Sequence, residues 1–342
     1  MRIVEGDLCH KIIRDNTKHK LAFDATKDYD LWRSEFKNKF LELIGIENIK
    51  KNACPLNMEI EEEVALDGYR RIRFTFESEV GSIVPCYLLI PTAGKQKYPL
   101  AITLQGHATG FHNSVAIPKY PGDEEYIKRG DFAIQAVREG YCALAIEQRG
   151  MGERRPRGPY QDGAQMCAYE AQMALLLGRT ILAERIWDVS KAIDLMDNFP
   201  EVDTDKIMIT GNSGGGTASF YAACYDERIK LAIPSCSFCT YKSSILDRFH
   251  CSCNFIPYSY EYFEMEDVAC LLAPRNCVFI AGKKDEIFPI EGVREAYKTV
   301  EKIYEKAGAK GKCQLIETEM AHYWCSDIVW DAISKEVKKL GW

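Results

Sequence analysis

The chain has 342 residues, 46% hydrophobic and 27% charged, so it can bury a large core without disulfide or metal staples. Its formal net charge of -6 and its lack of any lysine–arginine block argue against nucleic acid or an anionic membrane surface as the main partner, and favour a neutral or weakly charged small molecule. The 14 cysteines run from Cys9 to Cys325, mostly inside apolar stretches such as YCALAI and NCVFIAG, which reads as free thiols in a reducing, cytoplasmic compartment.

The N-terminal stretch MRIVEGDLCHKIIRDNTKHK carries charges throughout, and no segment approaches the roughly 18 apolar residues of a membrane span, so no membrane association is expected. Residues 1–69 read as a helical extension, because Trp32, Phe36, Phe40 and Leu43 recur at helical spacing. From Arg70 the pattern alternates: RIRFTFESEVGSIVPCYLLIPT, interrupted at Gly81-Ser82, predicts a hairpin. After Pro99 come six short apolar runs: LAITLQG, YCALAIEQRG, KIMITGNSGGG, IKLAIPSCSF, NCVFIAGKKD and CQLIETEMAH. Between and after them lie helical stripes through Leu182, Ile186, Val189, Ile193 and Met196, through Val293, Tyr297, Val300 and Tyr304, and through Val329, Ile333, Val337 and Leu340. Strands buried on both faces with helices between them predict an α/β fold with a mostly parallel, doubly wound sheet. The expected catalytic domain covers 70–342, with lid-like insertions near 150–163 and 237–267 that shape a binding site.

The run GNSGG fits G-x-S-x-G at Gly211–Gly215, preceded by a strand-like run and followed by small residues suited to a helix. A tight strand-to-helix turn brings the flanking residues close together, so Gly211 and Gly215 must be small, and it lifts the Ser213 hydroxyl out of the sheet edge. The N–H of Gly214, at the helix N-terminus, is then one oxyanion donor. A serine hydroxyl needs a base and an orienting acid. His322, after the last strand-like run, is the expected base. Asp285, opening the loop after NCVFIAGKK, is the expected acid, with the adjacent Glu286 as the alternative. The second oxyanion donor is placed at the N–H of His107, in the polar turn Gln105-Gly106-His107; a metal-ligand role for His107 is the competing reading, but no H-E-x-x-H accompanies it.

PSCSFCTYKSSILDRFHCSCNFIP gathers Cys236, Cys239, His250, Cys251 and Cys253. Zinc ligation and a disulfide are both compatible with that composition. Because the run starts at the end of the strand following the one that carries Ser213, it is read instead as a wall over the nucleophile, with Cys251 and Cys253 directed to opposite sides of an extended segment. Cys236 and Phe238, together with Gln105 and Trp324, are the expected pocket residues, and neither a metal nor a cofactor is expected. Arg149, Arg154, Arg155 and Arg157 read as solvated loop charges or as a site for a substrate carboxylate.

The order of GNSGG, KKDEIFP and MAHYW, with LQGH upstream and EQRGMGE between, resembles the α/β-hydrolase superfamily over about residues 70–342. EQRGMGE and GKKDEIFPIEG resemble in particular the branch of acetyl xylan esterases and dienelactone-hydrolase-like enzymes. The resemblance implies a carboxylic-ester hydrolase with a Ser213–Asp285–His322 triad, no cofactor, and short acyl esters of carbohydrates as substrates. The chain departs from polysaccharide deacetylases in lacking glutamine after the serine, and from dienelactone hydrolases in using serine in place of cysteine. A prolyl-oligopeptidase-type peptidase has the same triad order, but 70 N-terminal residues are too few for its propeller. A non-catalytic zinc-binding protein on the same scaffold is the alternative from another class, and homo-oligomerisation stays open.

Overall fold

The computed structural model describes residues 6–92, 94–156 and 165–342. Three helices come first: α1 (Leu8–Asn16), α2 (Tyr29–Ile44) and α3 (Ile46–Lys50). Asp28 caps α2 by accepting the Leu31 N–H at 2.9 Å, and Gly45, at φ 74°, ends it. Strands β1 (Glu59–Leu66), β2 (Tyr69–Glu79), β3 (Ser82–Pro91) and β4 (Tyr98–Leu104) follow, then α4 (Asp123–Gly130), α5 (Phe132–Arg138) and β5 (Cys142–Ile146). Next are α6 (Gln165–Leu176), α7 (Ile181–Asp194), β6 (Val202–Asn212), α8 (Gly214–Tyr225) and β7 (Ile229–Ser235). A long excursion containing α9 (Ser259–Tyr262) leads to β8 (Asn276–Gly282), α10 (Ile290–Lys306), β9 (Cys313–Thr318) and α11 (Ser326–Leu340).

Among the described residues the strands form one sheet in the order β1-β2-β3-β5-β4-β6-β7-β8-β9. The first three run as an antiparallel meander, β3 joins β5 antiparallel, and β5 through β9 are parallel. Side chains alternate across the sheet into two cores. Ile207 and Ile209 face the layer of α2, α7, α8 and α10, whereas Met208 faces α5 and α11. The doubly wound α/β reading therefore holds, and the six apolar runs are β4 to β9.

Two expectations need correction. The first is that residues 1–69 are all helical, whereas β1 lies within them and pairs with β2, Leu66 opposite Tyr69. The second concerns the boundary between the extension, 1–69, and the catalytic domain, 70–342, which does not divide the core. Trp32, Phe36 and Phe40 belong to the main core, where Phe40 stacks on Tyr221 of α8 and Phe36 meets Phe263 in the excursion. Part of the expected insertion at 150–163 lies outside the described residues. No helix among the described residues is long and apolar enough to cross a membrane.

Register fixes where chemistry is possible. Leu104 pairs with Gly211, Asn212 with Ser235 and Gly282 with Thr318, so the C-terminal ends of β4, β6, β7, β8 and β9 line up along one edge. Ligands of open α/β sheets bind along this edge, near the place where strand order reverses.

Candidate active site

Ser213 is the single residue between β6 and α8 and has φ 56° and ψ -124°, a backbone conformation that side chains rarely adopt. Its N–H donates to Ser235 O and its carbonyl accepts from Thr217 N, both at 2.9 Å, which fixes the turn from both sides. The glycines around it are dictated by space. A Cβ on Gly215 would lie 2.0 Å from Leu104 O, and one on Gly106 would lie 2.8 Å from Asn212 O and 3.1 Å from the Ser213 Cβ. The loop after β4 thus passes directly against the serine, with the His107 ring beside Gly214 at the N-terminus of α8. Among the described residues the His107 N–H makes no hydrogen bond within the chain.

Asp285, in the loop after β8, is buried. Its Oδ1 accepts the N–H groups of Ile287 at 2.8 Å and Phe288 at 3.1 Å, and its Oδ2 meets His322 Nδ1 at 2.8 Å. The contact engages Nδ1 of His322 and leaves its Nε2 without a partner in Asp285. The Phe288 ring stacks on the imidazole with centroids 6.0 Å apart. Behind it, the Ser244 hydroxyl meets His250 at 3.0 Å, and burial pushes the His250 pKa down to about 4, so that ring is neutral.

Ser213 and His322 line one cleft of about 130 Å³, with Gly106, His107, Tyr126, Arg129, Phe132 and Trp324 in its walls. Among the described residues the Ser213 hydroxyl and His322 are not hydrogen-bonded to one another; the imidazole is bonded through Nδ1 to Asp285. Of the four expected pocket residues, Trp324 lines this cleft. The other three are placed differently. Gln105 is fully buried and donates to Glu147 at 3.2 Å, and Phe238 stacks on Phe279 at 3.9 Å inside the core. Cys236 sits behind Asp285 and His322, where burial raises its thiol pKa to about 11 and keeps it protonated.

Two further groups escape the sequence reading. Glu147, fully buried at the end of β5, accepts from Gln105, from the Phe111 N–H at 3.2 Å and from the Glu153 N–H at 3.1 Å, and so holds the loop that carries His107. Arg149 and Arg154 are neither solvated nor directed at the cleft. They belong to a buried network with Glu79, Glu184, Asp188 and Arg179. Arg155 donates to the carbonyls of Ala108 and Thr109, and Arg157 lies outside the described residues. The divergence expected of Cys251 and Cys253 is also wrong. The segment is not extended but turns through a short 3₁₀ helix over Ser252–Asn254, and both thiols converge with Cys167 and the ring of His107.

A family described as the Abhydrolase family matches residues 3–308. The chain is 27% identical over 243 residues to YtaP of Bacillus subtilis (strain 168), provisionally named a hydrolase, which covers 70% of this chain and 78% of that protein. A provisionally named acetyl xylan esterase from Bacteroides fragilis NCTC 9343 superposes with a TM-score of 0.79 at 16% identity, over 98% of this chain and 95% of that one. A glucuronoyl esterase from Solibacter usitatus gives a TM-score of 0.68 at 16% identity, over 95% of this chain and 99% of the other. At such identities the structural likeness is one of fold. The matched span takes in the serine turn and Asp285, and the chain belongs to the abhydrolase family.

Proposed function

We infer that the protein is a serine carboxylesterase acting on short acyl esters of a carbohydrate or related alcohol. The observation that carries this reading is a serine in a strained strand-to-helix turn sharing one cleft with a histidine whose other nitrogen is held by a buried carboxylate. In the first step His322 Nε2 takes the Ser213 proton as the hydroxyl attacks the ester carbonyl, while the N–H groups of Gly214 and His107 stabilise the tetrahedral oxyanion. The imidazolium, oriented by Asp285, then gives its proton to the departing alcohol. Water repeats the sequence on the acyl-enzyme. No step requires a cofactor.

The small volume of the cleft, about 130 Å³, supports a short acyl group over a long chain. The aromatic walls of Tyr126, Phe132 and Trp324 suit the face of a sugar ring. The names of the structural neighbours, acetyl xylan esterase and glucuronoyl esterase, support the same substrate class. The peptidase alternative loses ground because the N-terminal segment packs into the sheet core as helices and edge strands. All 14 cysteines are unpaired, which supports a cytoplasmic setting.

The test is hydrolysis of nitrophenyl acetate by wild type and Ser213→Ala. The variant should lose about 10⁴-fold or more in kcat with an unchanged circular dichroism spectrum. Near-wild-type turnover by a folded variant rules the assignment out.

A further inference from the structure

Four soft donors meet beside the cleft, although the proposed ester chemistry does not use them as a group. His107, Cys167, Cys251 and Cys253 each bring one ligand atom to within 4.8 Å of the others. They come from three separate segments: the loop after β4, α6, and the excursion between β7 and β8. The sulfurs of Cys167 and Cys251 are 3.4 Å apart, and Nε2 of His107 lies 3.5 Å from the Cys253 sulfur. A tetrahedral zinc ion, with bonds of about 2.3 Å to sulfur and about 2.0 Å to nitrogen, spaces its ligands about 3.8 Å apart between sulfurs and about 3.5 Å between nitrogen and sulfur. A disulfide requires about 2.05 Å, so the sulfur spacing is that of fellow ligands and not of a bonded pair.

The surroundings suit thiolates. Cys167 is 1% exposed and Cys253 3%. The buried guanidinium of Arg185 donates to the Cys167 sulfur at 2.9 Å, and is anchored in turn on the Arg149 carbonyl at 2.7 Å. Three thiolates and a neutral imidazole around a divalent ion carry one net negative charge, which one guanidinium neutralises. Other buried cysteines, such as Cys86, Cys142 and Cys224, lie in the apolar core. Cys167, Cys251 and Cys253 also pack with Ala171 and Ile181, but they converge on one another and on His107 and have a buried guanidinium against them.

The geometry points to a structural zinc site of the Cys₃His type, made by His107, Cys167, Cys251 and Cys253, that fastens the β4 loop, α6 and the excursion to one another. The His107 imidazole occupies the space beside Gly214, where a Cβ would come within 3.0 Å of the ring. If His107 and Gly214 are the oxyanion donors, as the esterase reading has it, the ion also sets the position of that hole. The metal site itself does not depend on that reading.

The test is metal analysis of the full-length protein, purified without chelator from zinc-supplemented medium. One zinc per chain is expected. Cys167→Ser and Cys253→Ser should each lose it, whereas Ser213→Ala should keep it, so a failure of the esterase reading leaves this result untouched. Should the cysteine variants not fold, exchange of cobalt(II) into the wild-type protein provides the readout. Tetrahedral thiolate ligation gives intense visible bands and near-ultraviolet charge transfer, and removing the metal should lower the melting temperature. Folded wild-type protein that holds no zinc and takes up neither zinc nor cobalt overturns the proposal, as does an intact mass showing a Cys167–Cys251 disulfide.

Discussion

Glu147 shows how a residue remote from bond breaking shapes the cleft. Burial pushes its carboxyl pKa up from the ordinary 4.5 to about 7, against the pull of the N–H groups of Glu153 and Phe111. Its folded-state pKa is above the unfolded one, so the folded protein holds the extra proton between those values. The associated stability is complete at pH below the unfolded pKa and is lost as pH rises through about 7. Glu147→Gln, which cannot ionise, should therefore flatten the dependence of the urea midpoint between about pH 5 and about pH 8, with its relative gain at the alkaline end. An equal slope in wild type and variant would show that the carboxyl does not titrate there. The residue was hard to assign in advance because EQRGMGE contains no periodicity or ligand spacing that separates a buried glutamate from a loop charge. The serine turn is legible because its glycines and serine fall within five consecutive positions, although the contacts that demand small residues there come mainly from Leu104 and Gln105.

At the scale of elements, a buried ion-pair network ties together the end of β2, the loop after β5 and α7. Arg149 meets Glu79 at 2.5 Å, Asp188 at 3.2 Å and Glu184 at 3.4 Å, and all four side chains are at most 7% exposed. Removing the guanidinium leaves buried carboxylates without their partner, so Arg149→Ala should destabilise the protein by about 3–5 kcal/mol in chemical denaturation. A loss below about 1 kcal/mol would mean that Arg154 and Arg179 suffice. One signal in the sequence points to this network. Glu184 and Asp188 sit one helical turn apart among Leu182, Ile186 and Val189, so two acids lie on a helix that the core surrounds. The donor cluster of His107 and the cysteines left a partial trace. Cys251 and Cys253 are close in sequence, but His107 and Cys167 join them only through the fold, and no ligand spacing reveals that.

At the scale of the molecule, legibility followed burial. Strands β4, β5, β7 and β8 are mostly covered on both faces and read as continuous apolar runs, whereas β6 starts at Val202 in a partly exposed stretch before its apolar run. β1 was missed because EIEEEVAL is an exposed edge strand with a charged sequence, and its glutamates pair with Arg70, Arg71 and Arg73 of β2. Charges on an open edge deter pairing with another chain. Glu61→Val with Glu63→Val should thus promote self-association in analytical ultracentrifugation, at a stability change within about 1 kcal/mol, since exposed ion pairs contribute little. A strictly monomer-like profile matching wild type at the same concentration would show that the glutamates do not guard the edge.

The alignment of strand ends along one edge also imposes an order in time. A ribosome making this chain delivers the loop of His107 first, then Ser213, then Asp285, and His322 last, after β9 has been made. From β6 to β9 neighbours in the sheet are also neighbours in the chain, so that half of the sheet can be added strand by strand, with β9 last. On the esterase reading, a nascent chain therefore displays its nucleophile long before it owns a base. Because His322 and Trp324 also wall the cleft, neither the base nor the complete binding site exists until the chain beyond β9 is in place.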